Sequence, residues 1–266
     1  MQHIALSEIN ILLVEPSDTQ RKIITKELAS ADITHVETAA TVQQALEAIA
    51  KHRPDLVVSA MYLEDGTGLD IIKAIKSDNA LASIAFMLVS SENRMEKLEE
   101  FKQSGVAAIL PKPFTPENLA KALNASLDLI NTDEIDLELF DVHDVRVLLV
   151  DDSKLARNHI ARVLNGLGLQ KILEAENGAQ ALTLLKDNTF DLVVTDYNMP
   201  EMDGRELSEF IRFNPDTAHI PIIMVTSEST SSLHMANIHQ TGVNALCDKP
   251  FEVNEVRRML ASLLGQ

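Results

Sequence analysis

The chain has 266 residues, of which 45% are hydrophobic and 24% charged, and its net charge at neutral pH is −17. This composition supports one or two packed domains, and the lack of an apolar run of about 18 residues argues against a membrane span. No part of the chain offers a basic stripe, which argues against nucleic-acid binding. Because no signal peptide is apparent and Cys247 is the single cysteine, we expect a cytoplasmic protein that meets other proteins or cations.

The first half alternates between predicted strands and helices. Five short apolar runs, rich in β-branched residues, are typical of strands buried on both faces. They lie at 10–14, 33–37, 55–59, 84–89 and 106–110. Apolar residues at helical spacing predict a helix over 42–50 and another over 117–130.

The segment 131–144 carries six acidic residues and no lysine or arginine. It predicts a solvated acidic linker between a domain over 1–130 and a domain over 145–266. An alternative stays open because the segment also contains five apolar residues. These are Ile135, Leu137, Leu139, Phe140 and Val142. They would allow the segment to extend the preceding helix or to dock on one of the domains.

The second half repeats the first. NILLVEPSDTQRKII at 10–24 matches RVLLVDDSKLARNHI at 146–160, and three further blocks match in the same order. Predicted strands again alternate with helices such as the one over 153–167. The strands lie at 146–150, 170–174, 191–195, 220–225 and 243–247. The chain is therefore predicted to be an α/β protein with two doubly wound, five-stranded parallel-sheet domains in tandem.

Polar residues follow the predicted strands of the second copy. Asp151 and Asp152 end its first strand, Asp196 its third and Thr226 its fourth, and Lys249 follows its fifth. Such ends converge at one edge of a parallel sheet. Clustered carboxylates are typical ligands of Mg²⁺. Together with the ion, the Thr226 hydroxyl and the Lys249 ammonium group could bind a phosphoryl group. One carboxylate can then act as a nucleophile and hold the phosphoryl covalently.

The motifs VLLVDDS, DLVVTDYNMPEMDG, MVTSE and CDKPF resemble the receiver domain of bacterial two-component response regulators, a flavodoxin-like, CheY-like fold. The resemblance is strongest to the single-domain chemotaxis regulators and covers both halves of the chain. It implies that Asp196 accepts the phosphoryl group, that Thr226 hydrogen-bonds it and that Lys249 pairs with it. It also implies that the domain binds Mg²⁺. The ion would be bound by the carboxylates of Asp152 and Asp196, by the backbone carbonyl of Asn198 and, through a water molecule, by Asp151.

The resemblance implies three further features. The Lys249–Pro250 bond is expected to be cis, an arrangement that is inexpensive before proline. The side chains of Asn198 and Glu228 are expected to influence how long the phosphoryl group lasts. Leu246 occupies a position where the family often has an aromatic residue that rotates on activation, so the signal would pass through movement of Thr226 or of the backbone around 226–232.

The first copy keeps the apolar runs of the second but lacks its acceptor aspartate and its acidic pair. DLVVSAMYLEDGTG at 55–68 places Ala60 where the second copy has Asp196, and Glu15 with a proline replaces the acidic pair. Ser90 and Lys112 remain, and Lys112 is predicted to pair with Glu15. Residues 1–130 are therefore interpreted as a degenerate pseudo-receiver, a fixed protein-binding or dimerising module. Glu64 and Asp65, loop acids beyond the site, are not expected to replace the missing acceptor.

The predicted function is a phosphorelay switch rather than an enzyme with turnover on a free substrate. A histidine kinase or phosphotransfer protein would donate the phosphoryl group. A downstream protein would then read the surface formed by the fourth helix at about 232–242, the fifth strand and the fifth helix at 252–264. Neither nucleic acid nor membrane is expected as a partner, and a homodimer is one arrangement that the sequence allows.

Alternative functions remain. Haloacid-dehalogenase-type phosphatases use similar groups, but their nucleophile lies in a DxDx[TV] motif after the first strand, where this chain has VDDSK. The chain would otherwise be a constitutive, unphosphorylated two-domain scaffold, or the receiver fragment of a longer regulator whose output domain is missing.

Overall fold

The computed structural model describes residues 4–92, 94–137, 141–227 and 242–265. The chain divides into two compact units, residues 1–131 and 132–266. Glu228 and all but the last residue of the predicted helix over 232–242 lie outside the described residues. Among the described helices, none combines the length and the apolar character that crossing a membrane requires.

The first unit is built on a five-stranded parallel sheet. Its strands are β1 (Ile11–Val14), β2 (Val36–Ala39), β3 (Leu56–Ala60), β6 (Ala85–Ser90) and β7 (Ala108–Pro111), with a hairpin of β4 (Tyr62–Leu63) and β5 (Gly66–Thr67) after β3. The helices are α1 (Asp18–Ser30), α2 (Val42–His52), α3 (Gly68–Ser77), α4 (Met95–Gln103) and α5 (Pro116–Ile130). The sheet order β2-β1-β3-β6-β7 is that of a doubly wound sheet.

The second unit repeats this architecture. Its strands are β8 (Arg146–Val150), β9 (Lys171–Ala175), β10 (Leu192–Asp196), β11 (Ile222–Thr226) and β12 (Ala245–Asp248). Its described helices are α6 (Lys154–Gly166), α7 (Gly178–Asp187), α8 (Gly204–Phe213) and α9 (Val253–Leu264). The sheet order is β12-β11-β10-β8-β9. The predicted fold class, two doubly wound parallel-sheet domains in tandem, is confirmed.

The inner strands are more deeply buried than the edge strands β2 and β9. All residues of β1, β10 and β11 are buried, whereas β2 and β9 each have two or more exposed residues and a single buried one at their C-terminal end. Helices cover both faces of a doubly wound sheet, so its inner strands need apolar residues on both sides. This requirement explains why the same apolar runs recur in both copies.

Several strands begin later than the apolar runs predicted. The second strand begins at Val36 rather than at residue 33, because Ile33 is buried at the turn after α1 and donates its N–H to the Leu28 carbonyl. Val106 and Val243 are likewise buried before β7 and β12 begin. A buried apolar residue that packs just before a strand cannot be distinguished from a strand residue by pattern alone.

From Thr132 onward, the described residues of the segment 131–144 pack on the second unit. Ile135 and Leu137 are buried, and the Ile135 N–H donates to the Leu167 carbonyl at 2.9 Å. Arg257 of α9 donates to the Asp133 carbonyl at 2.8 Å. These contacts correspond to docking on a domain, the alternative raised for this segment; Leu139 and Phe140 lie outside the described residues.

Candidate functional site

The parallel register brings the polar strand ends of the second unit to one edge of its sheet. Thr195 of β10 is level with Val150 of β8, which places Asp151 beside Asp196. On the other side, Asp196 is level with Val225 and Thr226 with Asp248. The carboxyl edge of the sheet therefore collects the predicted acids, hydroxyl and lysine, as the topology requires.

Three carboxylates and one ammonium group form the centre of this edge. Oxygen atoms of Asp151, Asp152 and Asp196 all lie within 4.8 Å of one another. The Lys249 Nζ lies 3.1 Å from Asp151 Oδ2 and 3.0 Å from Asp196 Oδ1. Asp151, Asp196 and Lys249 are buried, whereas Asp152 is exposed. We name these four residues the acidic cluster.

The two oxygens of Asp196 have different surroundings. Oδ1 accepts the Tyr197 N–H at 3.0 Å and pairs with Lys249. Oδ2 is buried and has no hydrogen-bond partner among the described residues. A buried oxygen in this condition is costly unless a ligand satisfies it. Three carboxylates with one such oxygen form a donor set that fits Mg²⁺.

Backbone contacts fix the acidic cluster in place. Ser153 caps the N-terminus of α6 by accepting the Ala156 N–H, and Asp151 Oδ1 accepts the Ser153 N–H at 2.8 Å. The Lys249 N–H donates to the Thr226 carbonyl at 2.7 Å. The Lys249–Pro250 bond is cis, which confirms the prediction. Since Ser153 performs the capping, the aspartates beside it are not needed for that role.

Burial dominates the electrostatics of the cluster. It raises the pKa of Asp196 to about 7, with Lys249 opposing this rise and Asp151 adding to it. Burial also raises the pKa of Asp151, again against the effect of Lys249. For Lys249, burial acts to lower the pKa, but Asp196 and Asp151 outweigh it, and the pKa is raised. Burial thus disfavours the charged forms of Asp151 and Asp196 beside a single lysine, and a divalent cation bound by these carboxylates would favour their ionised forms.

Without divalent cations, Asp196→Asn is expected to stabilise the protein at pH 8 by on the order of 3 kcal/mol, because the buried charge is removed. A carboxyl whose pKa is about 7 in the folded state, above its ordinary 3.8, costs stability as the pH rises through that window. The gain should therefore shrink as the pH falls below 7 and vanish only below the ordinary pKa of 3.8, where Asp196 is neutral in both the folded and the unfolded state. Urea unfolding across this pH range measures it. A gain that is independent of pH would contradict the assignment.

Three other predicted residues lie around the cluster. Thr226 is buried as the last residue of β11, beside the strand of Asp196. Asn198 lies exposed in the loop after β10. Leu246 of β12 is partly buried and packs against the apolar core of the unit.

The corresponding edge of the first unit holds an ion pair in place of an acidic cluster. Lys112 Nζ lies 2.8 Å from Glu15 Oε2, the pairing that the sequence predicted. Ala60 ends β3, where Asp196 ends β10 in the second unit. Ser90 is buried at the end of β6, with its hydroxyl 3.7 Å from the Met61 sulfur. This edge therefore offers one buried carboxylate, paired with a lysine, and no carboxylate at the position that matches Asp196.

In the loop after β3, Asp65 stabilises the N-terminus of α2. Asp65 accepts the N–H groups of Val42 and Gln43 at 2.7 and 3.0 Å, at the N-terminus of α2. These hydrogen bonds lower the pKa of Asp65. The side chain thus stabilises a helix end.

Sequence reasoning missed Arg157 of α6. Its guanidinium donates to the carbonyl of Asp151 at 2.7 Å and contacts Glu174 and Glu176 at 3.1 and 3.0 Å. A signal was available, because Arg21 occupies the matching position of the first copy.

Sequence reasoning also missed the role of Gly204, the last residue of the DYNMPEMDG motif. A Cβ added at this glycine would lie 2.2 Å from the Asp196 carbonyl oxygen.

Comparison with known proteins gives consistent matches. The family model described as "Response regulator receiver domain" matches residues 11–124 and again 147–261. The chemotaxis protein CheY-3 of Vibrio cholerae is 36% identical over 117 residues, which is 44% of this chain and 89% of that protein. A CheY homolog of Campylobacter jejuni is 38% identical over 122 residues, 46% of this chain and 93% of that protein.

Solved structures give similar matches. The chemotaxis response regulator CheY4 of Vibrio cholerae has 30% identity and a TM-score of 0.41, and the match covers 44% of this chain and 98% of that one. A probable two-component system response regulator/GGDEF domain protein has 24% identity and a TM-score of 0.43, covering 96% of this chain and 98% of that one.

Receiver domains are signalling modules of two-component systems and typically bind Mg²⁺ at an acidic site. The family model accounts for most of the chain in two successive matches, one for each unit. The chain therefore belongs to the response regulator receiver family, as a tandem of two CheY-like receiver domains.

Proposed function

We propose that the second unit is a phosphorylation switch and that Asp196 accepts its phosphoryl group. The observation that carries this proposal is the buried Asp196 carboxylate, which Lys249 holds by one oxygen while the other has no partner among the described residues. Membership of the receiver family supports a role in two-component phosphorelay signalling. The donor would be the phosphohistidine of a histidine kinase or of a phosphotransfer protein.

The transfer is a nucleophilic displacement at phosphorus. A carboxylate oxygen of Asp196 forms a bond to phosphorus while the P–N bond to the donor histidine breaks, and the histidine nitrogen keeps that electron pair. The switch resets when a water oxygen attacks phosphorus. The aspartyl O–P bond then breaks, Asp196 is again a carboxylate, and inorganic phosphate leaves.

The other residues of the cluster would hold and neutralise charge. Asp151, Asp152 and Asp196 would bind Mg²⁺, with the Asn198 carbonyl as a further ligand. When bound, the ion would offset the negative charge of the carboxylates and phosphoryl oxygens. Lys249, already in contact with Asp196, would pair with a phosphoryl oxygen. Thr226, at the end of the neighbouring strand, would supply its hydroxyl to the same group.

The first unit would take no part in this chemistry. Ala60 offers no nucleophile, and Lys112 is paired with Glu15. We propose that it acts as a fixed protein-binding or dimerising module. Phosphorylation of the second unit would alter the surface of β12 and α9 together with the segment over 232–242, and a downstream protein would read that change.

Intact mass after incubation with acetyl phosphate and Mg²⁺ tests the proposal. The native chain should gain one phosphoryl group only with Mg²⁺, and Asp196→Ala should gain none. Glu64→Ala, which removes an exposed loop acid of the first unit, should behave as the native chain does. If the native chain gains no mass and binds no Mg²⁺, the proposal is wrong, and the protein is better described as a constitutive scaffold.

A further inference from the structure

Arg157 connects the acidic cluster to the edge of the sheet. The Arg157 side chain is 5% exposed, and its guanidinium donates to the backbone carbonyls of Asp151 at 2.7 Å and Asp152 at 3.4 Å. On its other side it contacts Glu174 at 3.1 Å and Glu176 at 3.0 Å, at the end of the edge strand β9. A buried cation is thus shared between two backbone carbonyls of the acidic pair and two partly exposed carboxylates.

The first unit contains a matched arginine without these carboxylates. Arg21 donates to the carbonyls of Glu15 and Pro16, as Arg157 does to those of Asp151 and Asp152. The register of β2 and β9 shows that Thr38 and Ala40 stand where the second unit has Glu174 and Glu176. Arg21 is correspondingly more exposed, at 19%. The two extra carboxylates therefore occur in the unit that has the acidic cluster.

We propose that Arg157, held by Glu174 and Glu176, is a positioning residue for the divalent-cation site. This inference rests on the function proposed above. A guanidinium presents several donors in a rigid plane, so it can bind two successive carbonyls and two carboxylates at once. It thereby fixes the backbone from which the carboxylates of Asp151 and Asp152 converge on Asp196. Outer groups of this kind commonly set the affinity of a metal site.

The charge of Arg157 and its hydrogen bonds to the backbone should have opposite effects on the affinity for Mg²⁺. Its positive charge lies near the acidic cluster and repels a cation, so by charge alone its removal strengthens Mg²⁺ binding. If Arg157 positions the site, its removal breaks the hydrogen bonds to the carbonyls of Asp151 and Asp152, and Mg²⁺ binding weakens. The sign of the change in affinity of a neutral variant therefore separates the two roles.

The experiment is a calorimetric Mg²⁺ titration of the full chain, with thermal unfolding of each variant alongside. We expect Arg157→Met to weaken Mg²⁺ binding by about tenfold or more, and Arg157→Lys, which keeps the charge but loses the planar fork, to weaken it as well. The matched control Arg21→Lys should bind Mg²⁺ as the native chain does. An Arg157→Met chain that binds Mg²⁺ as tightly as the native chain, or more tightly, overturns the positioning role.

A second variant tests the proposal without changing Arg157, in case substitutions of this buried residue unfold the unit. Glu174→Gln with Glu176→Gln alters side chains that are 43% and 70% exposed. At high salt, where the field of exposed charges is screened, this double variant should still bind Mg²⁺ more weakly than the native chain. Native-like affinity under these conditions also overturns the proposal. If the native chain itself binds no Mg²⁺, the proposed function fails, rather than the role of Arg157 alone.

Discussion

Lys249→Met is expected to lower the free energy of unfolding of the second unit by about 3–5 kcal/mol in the absence of divalent cations, the usual cost of leaving buried charges unpaired. Lys249 is 3% exposed and contacts Asp151 and Asp196, which are 0% and 1% exposed. Without the lysine, two buried carboxylates face each other with no cation between them. Millimolar Mg²⁺ should restore part of the loss if the ion binds the same carboxylates, as proposed.

The chain offers a direct probe for this measurement. It has two tyrosines and no tryptophan, with Tyr62 in the first unit and Tyr197 next to Asp196 in the second. In a Tyr62→Phe background, the tyrosine fluorescence during urea unfolding reports on the second unit alone. A Tyr197→Phe background reports on the first unit in the same way.

Lys112→Met is the matched control for Lys249→Met. It leaves the single carboxylate of Glu15 unpaired, and Lys112 is 22% exposed. The loss should be smaller, and Mg²⁺ should not reverse it. Equal losses for the two lysine variants, neither responsive to Mg²⁺, would show that the second unit has no special cation site.

Gly204→Ala is expected to slow phosphorylation from acetyl phosphate by about 10²-fold, because the proposed acceptor Asp196 would be displaced from its reactive geometry. An added Cβ would lie 2.2 Å from the carbonyl oxygen and 3.0 Å from the carbonyl carbon of Asp196. Both are backbone atoms at the end of β10, so α8 and the acceptor cannot both keep their positions. The same overpacking should cost about 1–3 kcal/mol of stability.

Gly68→Ala provides the control for Gly204→Ala. Its Cβ would lie 2.7 Å from the Ala60 carbonyl oxygen, at the matching place in the first unit. It should destabilise the first unit while phosphorylation proceeds at the native rate. A native rate in Gly204→Ala would mean that the acceptor is not held by this close contact.

The sequence predicted the fold because both copies repeat the same apolar runs. Runs such as 146–150 and 191–195 have the composition of strands buried on both faces, and the structure contains strands at both places. Strand starts were less predictable. Ile33 and Val106 are buried just before β2 and β7, where tertiary packing rather than hydrogen bonding in the sheet determines their burial.

The convergence of Asp151, Asp196 and Lys249 was predictable for a different reason. The topology of a parallel sheet brings the ends of its strands together, whichever side chains follow them. The contacts of Arg157 with Glu174 and Glu176 were not predictable, because they join a helix to the end of an edge strand. No motif relates two such positions, and the pairing depends on the register of β8 with β9.

Only the second of the two receiver units is proposed to carry the phosphoryl group. Borohydride trapping of the acyl phosphate, followed by peptide mapping of the full chain, identifies the residue that carries it. We predict reduction at Asp196 alone, with every acidic residue of the first unit, Glu64 and Asp65 included, left unmodified. Reduction at a residue of the first unit, or a phosphorylated chain in which Asp196 is unmodified, would contradict the assignment of Asp196 as the acceptor.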